Sequence, residues 1–80
     1  MKKIAILGAG NIGQAIYRGL VHSGEHRPEN IILSNTNISL IEEYRKESCS
    51  ITDNNKVAAA FADILILSVE PQQMDRLLDQ

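Results

Sequence analysis

Tryptophan is missing from this chain, phenylalanine and cysteine occur once each, and tyrosine occurs twice. A lone cysteine, Cys49, has no partner for an intrachain disulfide, so nothing in the sequence asks for an oxidising compartment and the cytoplasm is the expected location. Positive charge is sparse and scattered. Lys2, Lys3, Arg18, Arg27, Arg45, Lys46, Lys56 and Arg76 stand with acids between most of them, and the net charge is −2. Nucleic-acid binding needs clustered positive charge to displace counterions, which argues against that partner. No apolar run comes near the ~20 residues a membrane helix requires. The opening "MKKIAILGAG" imitates a basic region followed by an apolar one, but Asn11 and Gln14 cut it short, which argues against secretion and against a membrane partner.

What is present is an ordinary globular composition over 80 residues, 44% hydrophobic and 22% charged. That suits one small domain, burying about 60 to 65% of the surface its unfolded chain exposes. Lys3 to Leu7 is short, isoleucine-rich and ended by Gly8, the pattern of a buried parallel strand. Ile12, Ala15, Ile16, Leu20 and Val21 then recur at helical spacing until Gly24 supplies a stop. After a polar loop with Pro28, "IILS" reads as a second strand. Leu40, Ile41 and Tyr44 supply one face of a second helix, with Asn37 or Ser39 as its cap and Ser39–Glu42 at capping-box spacing.

"CSIT" predicts a weak third strand, and Asp53 or Asn54 can cap a short helix through "KVAAAFA". "DILILSV" is the strongest strand signal, and its unbroken apolar run predicts a central strand covered on both faces. Pro71 ends it, and Met74, Leu77 and Leu78 open another helical pattern that stops midway, which implies a truncated chain. The order β-α-β-α-β-α-β predicts a Rossmann-like α/β fold. Its doubly wound parallel sheet has strand order 3-2-1-4 and lies between two helical layers. No linker, repeat or low-complexity segment interrupts it.

Gly8-Ala9-Gly10-Asn11-Ile12-Gly13 fits G-x-G-x-x-G, a weak pattern alone but a stronger one between a predicted strand and a predicted helix. Gly8 permits the tight turn, Gly10 lets a diphosphate approach the backbone, and Gly13 lets the helix lie close to the strand. The first N–H groups of that helix then bind the anion. The plain alternative is a glycine-rich structural turn with no ligand. A P-loop would need G-K-[ST] after four spacer residues, and Gln14-Ala15 follow Gly13 instead, so a dinucleotide is favoured over ATP or GTP.

The kind of dinucleotide is read about 20 residues further on, where a carboxylate would accept from the ribose hydroxyls of NAD. This chain has Ser34-Asn35-Thr36-Asn37 there. Hydroxyls and amides can donate to a 2′-phosphate that a carboxylate would repel, so NADP is expected, with NAD possible. The same four residues also read simply as a helix-capping loop. His22 and His26 lack any catalytic or metal-ligand spacing, Cys49 reads as a buried packing residue, and neither a metal site nor a catalytic residue is expected.

The stretches "IAILGAGNIGQAIYRGLVHSG", "ILSN" and "TDNNKVAAAFADILILSVEPQ" resemble the N-terminal domain of the pyrroline-5-carboxylate reductases over nearly the whole chain. Hydroxyacid dehydrogenases share the glycine pattern but do not usually join it to V-x-P-Q after the fourth strand. The resemblance implies reduction of the cyclic imine 1-pyrroline-5-carboxylate to proline with NADPH or NADH. It implies that Leu7, Gly8, Ala9, Gly10, Asn11 and Ile12 cradle the diphosphate, with Gly13 closing the motif. Asn35 would lie by the adenosine ribose or its phosphate, Asn55 near the adenosine, and Ser68, Val69, Glu70 and Pro71 beside the nicotinamide ribose. It further implies a helical C-terminal domain, absent from these 80 residues, that binds the imine and makes a homo-oligomer. Residues 1–80 would then be the cofactor domain alone, inactive in isolation. Where the family usually has lysine in V-K-P this chain has Glu70, a carboxylate that should weaken anion binding unless it faces solvent. The rival readings are a non-catalytic NADP(H)-binding regulatory module, or a two-domain oxidoreductase acting on another imine or a hydroxyacid.

Overall fold

The computed structural model describes residues 2–68. Strand β1 (Ile4–Leu7) runs parallel to β2 (Ile31–Ser34) and to β4 (Ile64–Leu67), and β3 (Ser50–Thr52) pairs with the far side of β2. The sheet order is β3-β2-β1-β4, as the alternation of elements predicts. All four residues of β1 and all four of β2 are buried, so apolar side chains fill both pleat faces. On one face Ile4, Ile6, Ile31 and Leu33 pack with Tyr17, Ile41, Tyr44 and Cys49. On the other, Ala5, Leu7 and Ile32 pack with Ala58.

Helix α1 (Asn11–His22) covers the first face and α2 (Asn55–Phe61) the second, which makes the predicted three layers. The α1 stripe is shifted from the predicted one. Gly13 and Tyr17 are buried, with Ile16, Leu20 and Val21 packed beside them, while Ile12 is 63% exposed. Gly24 ends the helix in the left-handed region at φ +78°, its N–H on the Val21 carbonyl. Asn54 caps α2, its side chain accepting from the N–H groups of Lys56 and Val57.

The second predicted helix is instead two 3-10 segments, Ile38–Leu40 and Glu42–Glu47. Three residues per turn place Ile38, Ile41, Tyr44 and Glu47 in one row. Ile41 and Tyr44 are accordingly buried, whereas Leu40, assigned to the apolar face by a 3.6 period, is 54% exposed. The Ser39–Glu42 capping box does not form, because Ser39 Oγ donates to Asn37 Oδ1 at 2.6 Å. Ser48 closes the segment in the left-handed region at φ 69°.

Strand β4 also departs from expectation. Among the described residues it pairs only with β1, and Ile64, Leu65 and Leu67 are exposed rather than covered on both faces. The helical pattern predicted beyond Pro71 lies outside the described residues.

Candidate functional site

A parallel sheet gathers the carboxyl ends of its strands along one edge, and the loops leaving them form the crevice in which ligands of such sheets bind. Here that edge carries Leu7 and Gly8, Ser34 and Asn35, Thr52 and Asn54, and Leu67 and Ser68. Gly8 turns sharply out of β1 at φ +71°, a region open to glycine at little cost, and its carbonyl accepts from the N–H of Gly10 at 2.7 Å. Ala9, fully buried, donates its N–H to the Ser34 carbonyl at 2.7 Å, which fixes the turn against the end of β2.

The remaining two glycines differ in what they serve. A Cβ on Gly13 would stand 2.5 Å from Ser68 Oγ and 3.1 Å from Ile6 Cγ2, so helix-to-sheet packing demands glycine there. A Cβ on Gly10 would meet no atom within 4 Å. Packing within the described residues therefore gives no reason for glycine at position 10, whereas close approach of an anion does. Helix α1 starts at Asn11 with no side-chain cap and no acidic residue in its first turn. The N–H groups that such a start leaves without helical partners suit a diphosphate. Asn11 and Ile12 are both exposed at this end.

Side chains from three segments brace the turn. Asn35 Nδ2 donates to the Ala9 carbonyl at 3.0 Å, and Asn35 Oδ1 accepts from the N–H of Asn37 at 2.9 Å. Gln14 Nε2 donates to the same Ala9 carbonyl at 3.1 Å. The hydroxyl of Ser68 donates to the Leu7 carbonyl at 3.0 Å and lies 3.1 Å from that of Gly8.

Ser34, expected as a donor to the ligand, is the last residue of β2. It is fully buried, and its Oγ donates to Asn55 Oδ1 at the start of α2. The polar atoms near the end of β2 come from Asn35, Thr36 and Asn37, with Thr36 and Asn37 exposed. Val69, Glu70 and Pro71 lie outside the described residues.

Outside this edge the chemistry is quiet. Cys49 is buried with its thiol donating to the Ile31 carbonyl at 3.2 Å, and burial pushes that thiol up to about 12, so it is a protonated packing group at neutral pH. No His, Cys, Asp and Glu cluster among the described residues could hold a metal ion. No helix among them is long and apolar enough to cross a membrane.

Sequence reasoning missed Gln14, Tyr44 and Arg18 as parts of the site's support. Arg18 Nη1 donates to Tyr44 Oη at 2.7 Å, and Tyr44 Oη donates to Gln14 Oε1 at 2.9 Å. Tyr44 registers in the sequence only as an apolar position, and although Gln14 and Arg18 stand one turn apart on α1, no spacing rule brings residue 44 to them.

Known proteins share both the sequence and the fold. Pyrroline-5-carboxylate reductase 1 of Dictyostelium discoideum is 41% identical over 76 residues, 95% of this chain and 14% of that protein. Pyrroline-5-carboxylate reductase 2 of the same organism is 40% identical over 79 residues, 98% of this chain and 26% of the relative. The solved structure of a pyrroline-5-carboxylate reductase from Coxiella burnetii superposes with a TM-score of 0.84 at 27% identity, over 95% of this chain and 28% of that one. The chain thus spans well under a third of the length of each of these relatives. The sequence profile described as "NADP oxidoreductase coenzyme F420-dependent" matches residues 3–80. Parallel sheet, glycine turn and profile agree, and the chain belongs to that family of NADP oxidoreductases.

Proposed function

We propose that this chain is the cofactor-binding part of an NADPH-dependent reductase that converts 1-pyrroline-5-carboxylate to proline. Position 10 carries the reading, because its glycine has open space around it, beside an uncapped helix start. The residues fit a dinucleotide. Leu7 to Gly13 would hold the diphosphate, with Asn35 and its loop at the adenosine ribose and Asn55 nearby. Val69, Glu70 and Pro71 would follow Ser68 along the nicotinamide side. When bound, the cofactor supplies a hydride to the imine carbon. The protein's part is to bind and orient, and the residues assigned here include no proton donor.

NADPH is the preferred reductant in this reading. The loop Asn35-Thr36-Asn37 presents amides and a hydroxyl and no carboxylate, so it can donate to a 2′-phosphate without repelling it. The names of the relatives support the choice of imine, and binding of the imine and self-association are assigned to sequence of the kind those longer relatives contain. The test is proline formation by the full-length protein from 1-pyrroline-5-carboxylate, followed as loss of reduced-nicotinamide absorbance. Turnover of a hydroxyacid in preference to the imine would overturn the substrate assignment while leaving the dinucleotide site intact.

A further inference from the structure

We propose that Gln14 and Tyr44 are positioning residues for the diphosphate turn, holding the Ala9–Gly10 peptide in its binding orientation through a chain of hydrogen bonds that begins at Arg18. The proposal rests on the reading of the glycine turn as a dinucleotide site.

The chain runs in one direction. Arg18 Nη1 donates to Tyr44 Oη at 2.7 Å, which leaves the hydroxyl proton free to be donated onward to Gln14 Oε1 at 2.9 Å. The Gln14 amide is thereby fixed with its nitrogen toward the turn, where Nε2 donates to the Ala9 carbonyl at 3.1 Å. With both ends of the amide engaged, a flip would place oxygen against the Ala9 carbonyl oxygen and nitrogen against a hydroxyl that already accepts from Arg18 and would lose its own acceptor. Asn35 Nδ2 supplies a second donor to that carbonyl at 3.0 Å. On the other side of the same peptide, the Gly10 N–H is held by the Gly8 carbonyl at 2.7 Å.

Ala9–Gly10 is the peptide a diphosphate would approach, since Gly10 is the glycine with open space beside it. A carbonyl there that turned toward the ligand would set a negative dipole end against an anion. Two amide donors on the Ala9 oxygen oppose that rotation and draw off its partial charge. Because donors in a chain polarise one another, the Arg18 guanidinium strengthens the far end of the series. Tyr44 can serve because the row of three-residue spacing in the 3-10 segment buries its ring against Tyr17, edge to face at 5.0 Å, with its hydroxyl at α1.

Tyr17 provides an internal control. Its ring belongs to the same pair, but its hydroxyl donates to Glu47 Oε1 at 2.7 Å, away from the chain that ends at Ala9. The test titrates NADPH into the full-length protein and into Tyr44→Phe, Gln14→Met, their double variant and Tyr17→Phe, reading cofactor fluorescence. Tyr44→Phe should raise the dissociation constant about fivefold and Gln14→Met about tenfold, the effect of one lost hydrogen bond on a partly buried site. The double variant should bind as Gln14→Met alone does, since both cut one chain. Tyr17→Phe should bind as the parent. Parent-like binding by Tyr44→Phe and Gln14→Met, additive losses in the double variant, or an equal loss in Tyr17→Phe would each overturn the proposal. Failure of the unsubstituted protein to bind NADPH would instead remove the dinucleotide reading beneath it.

Discussion

Gly13 and Ser68 stand in such close contact that a Cβ on the glycine would come within 2.5 Å of the serine Oγ. That contact joins the first helix to the end of β4, because the same hydroxyl reaches the carbonyls of Leu7 and Gly8. One residue without a side chain thus sets the spacing between helix, sheet and ligand turn. Gly13→Ala should lower stability by ~1–3 kcal/mol, the usual cost of overpacking, despite the better helix propensity of alanine. Denaturant unfolding of the two proteins measures it. A gain in stability would mean that Ser68 moves aside freely and does not brace the turn.

Gly10 should respond in the opposite manner. A side chain there meets open space, so Gly10→Val should lose at most ~1 kcal/mol of stability, the difference between glycine and an aliphatic residue at a helix N-cap. NADPH binding should be abolished, because the side chain occupies the approach to the backbone. Thermal unfolding and cofactor titration on one preparation separate the two effects. Binding that survives the substitution takes the glycine turn out of the site.

Alkaline pH should unfold this protein early. Burial, with Glu47 nearby, pushes the Cys49 thiol up to about 12, and burial raises both Tyr17 and Tyr44. In the unfolded chain these groups ionise near their ordinary values, about 8.5 for cysteine and about 10 for tyrosine. The unfolded state therefore loses protons first. The stability these groups contribute is complete below about pH 8.5 and declines as pH rises toward 12. Urea midpoints measured upward from neutral pH should fall over that range. Native Cys49 should also react slowly with a thiol reagent until the protein unfolds. A midpoint that stays level through that range would mean these side chains are not held protonated by the fold.

Much of this could be read from residue order. Ile4 to Leu7 and Ile31 to Ser34 are buried on both faces, as continuous apolar runs between helical patterns imply. Gly8 and Gly13 have the conformational and packing roles their motif assigns. The 38–47 segment was less legible because Ile41 and Tyr44 satisfy both a three-residue and a 3.6-residue period, and the two are buried with Ile38 partly buried beside them in the tighter turn. Ser34 looks like a ligand donor in a polar tetrapeptide, yet the register with Leu7 and the hydrogen bond to Asn55 draw it inside. Gln14 and Arg18 stand one turn apart on α1, and their series is completed only by the packing of Tyr44 against that helix.

The cofactor preference we propose rests on the loop after β2, where the amides of Asn35 and Asn37 and the hydroxyl of Thr36 would hold a 2′-phosphate that a carboxylate would repel. Parallel titration of the protein with NADPH and NADH tests it most directly. NADPH should have the lower dissociation constant, and equal or reversed affinities would contradict the roles given to Asn35, Thr36 and Asn37.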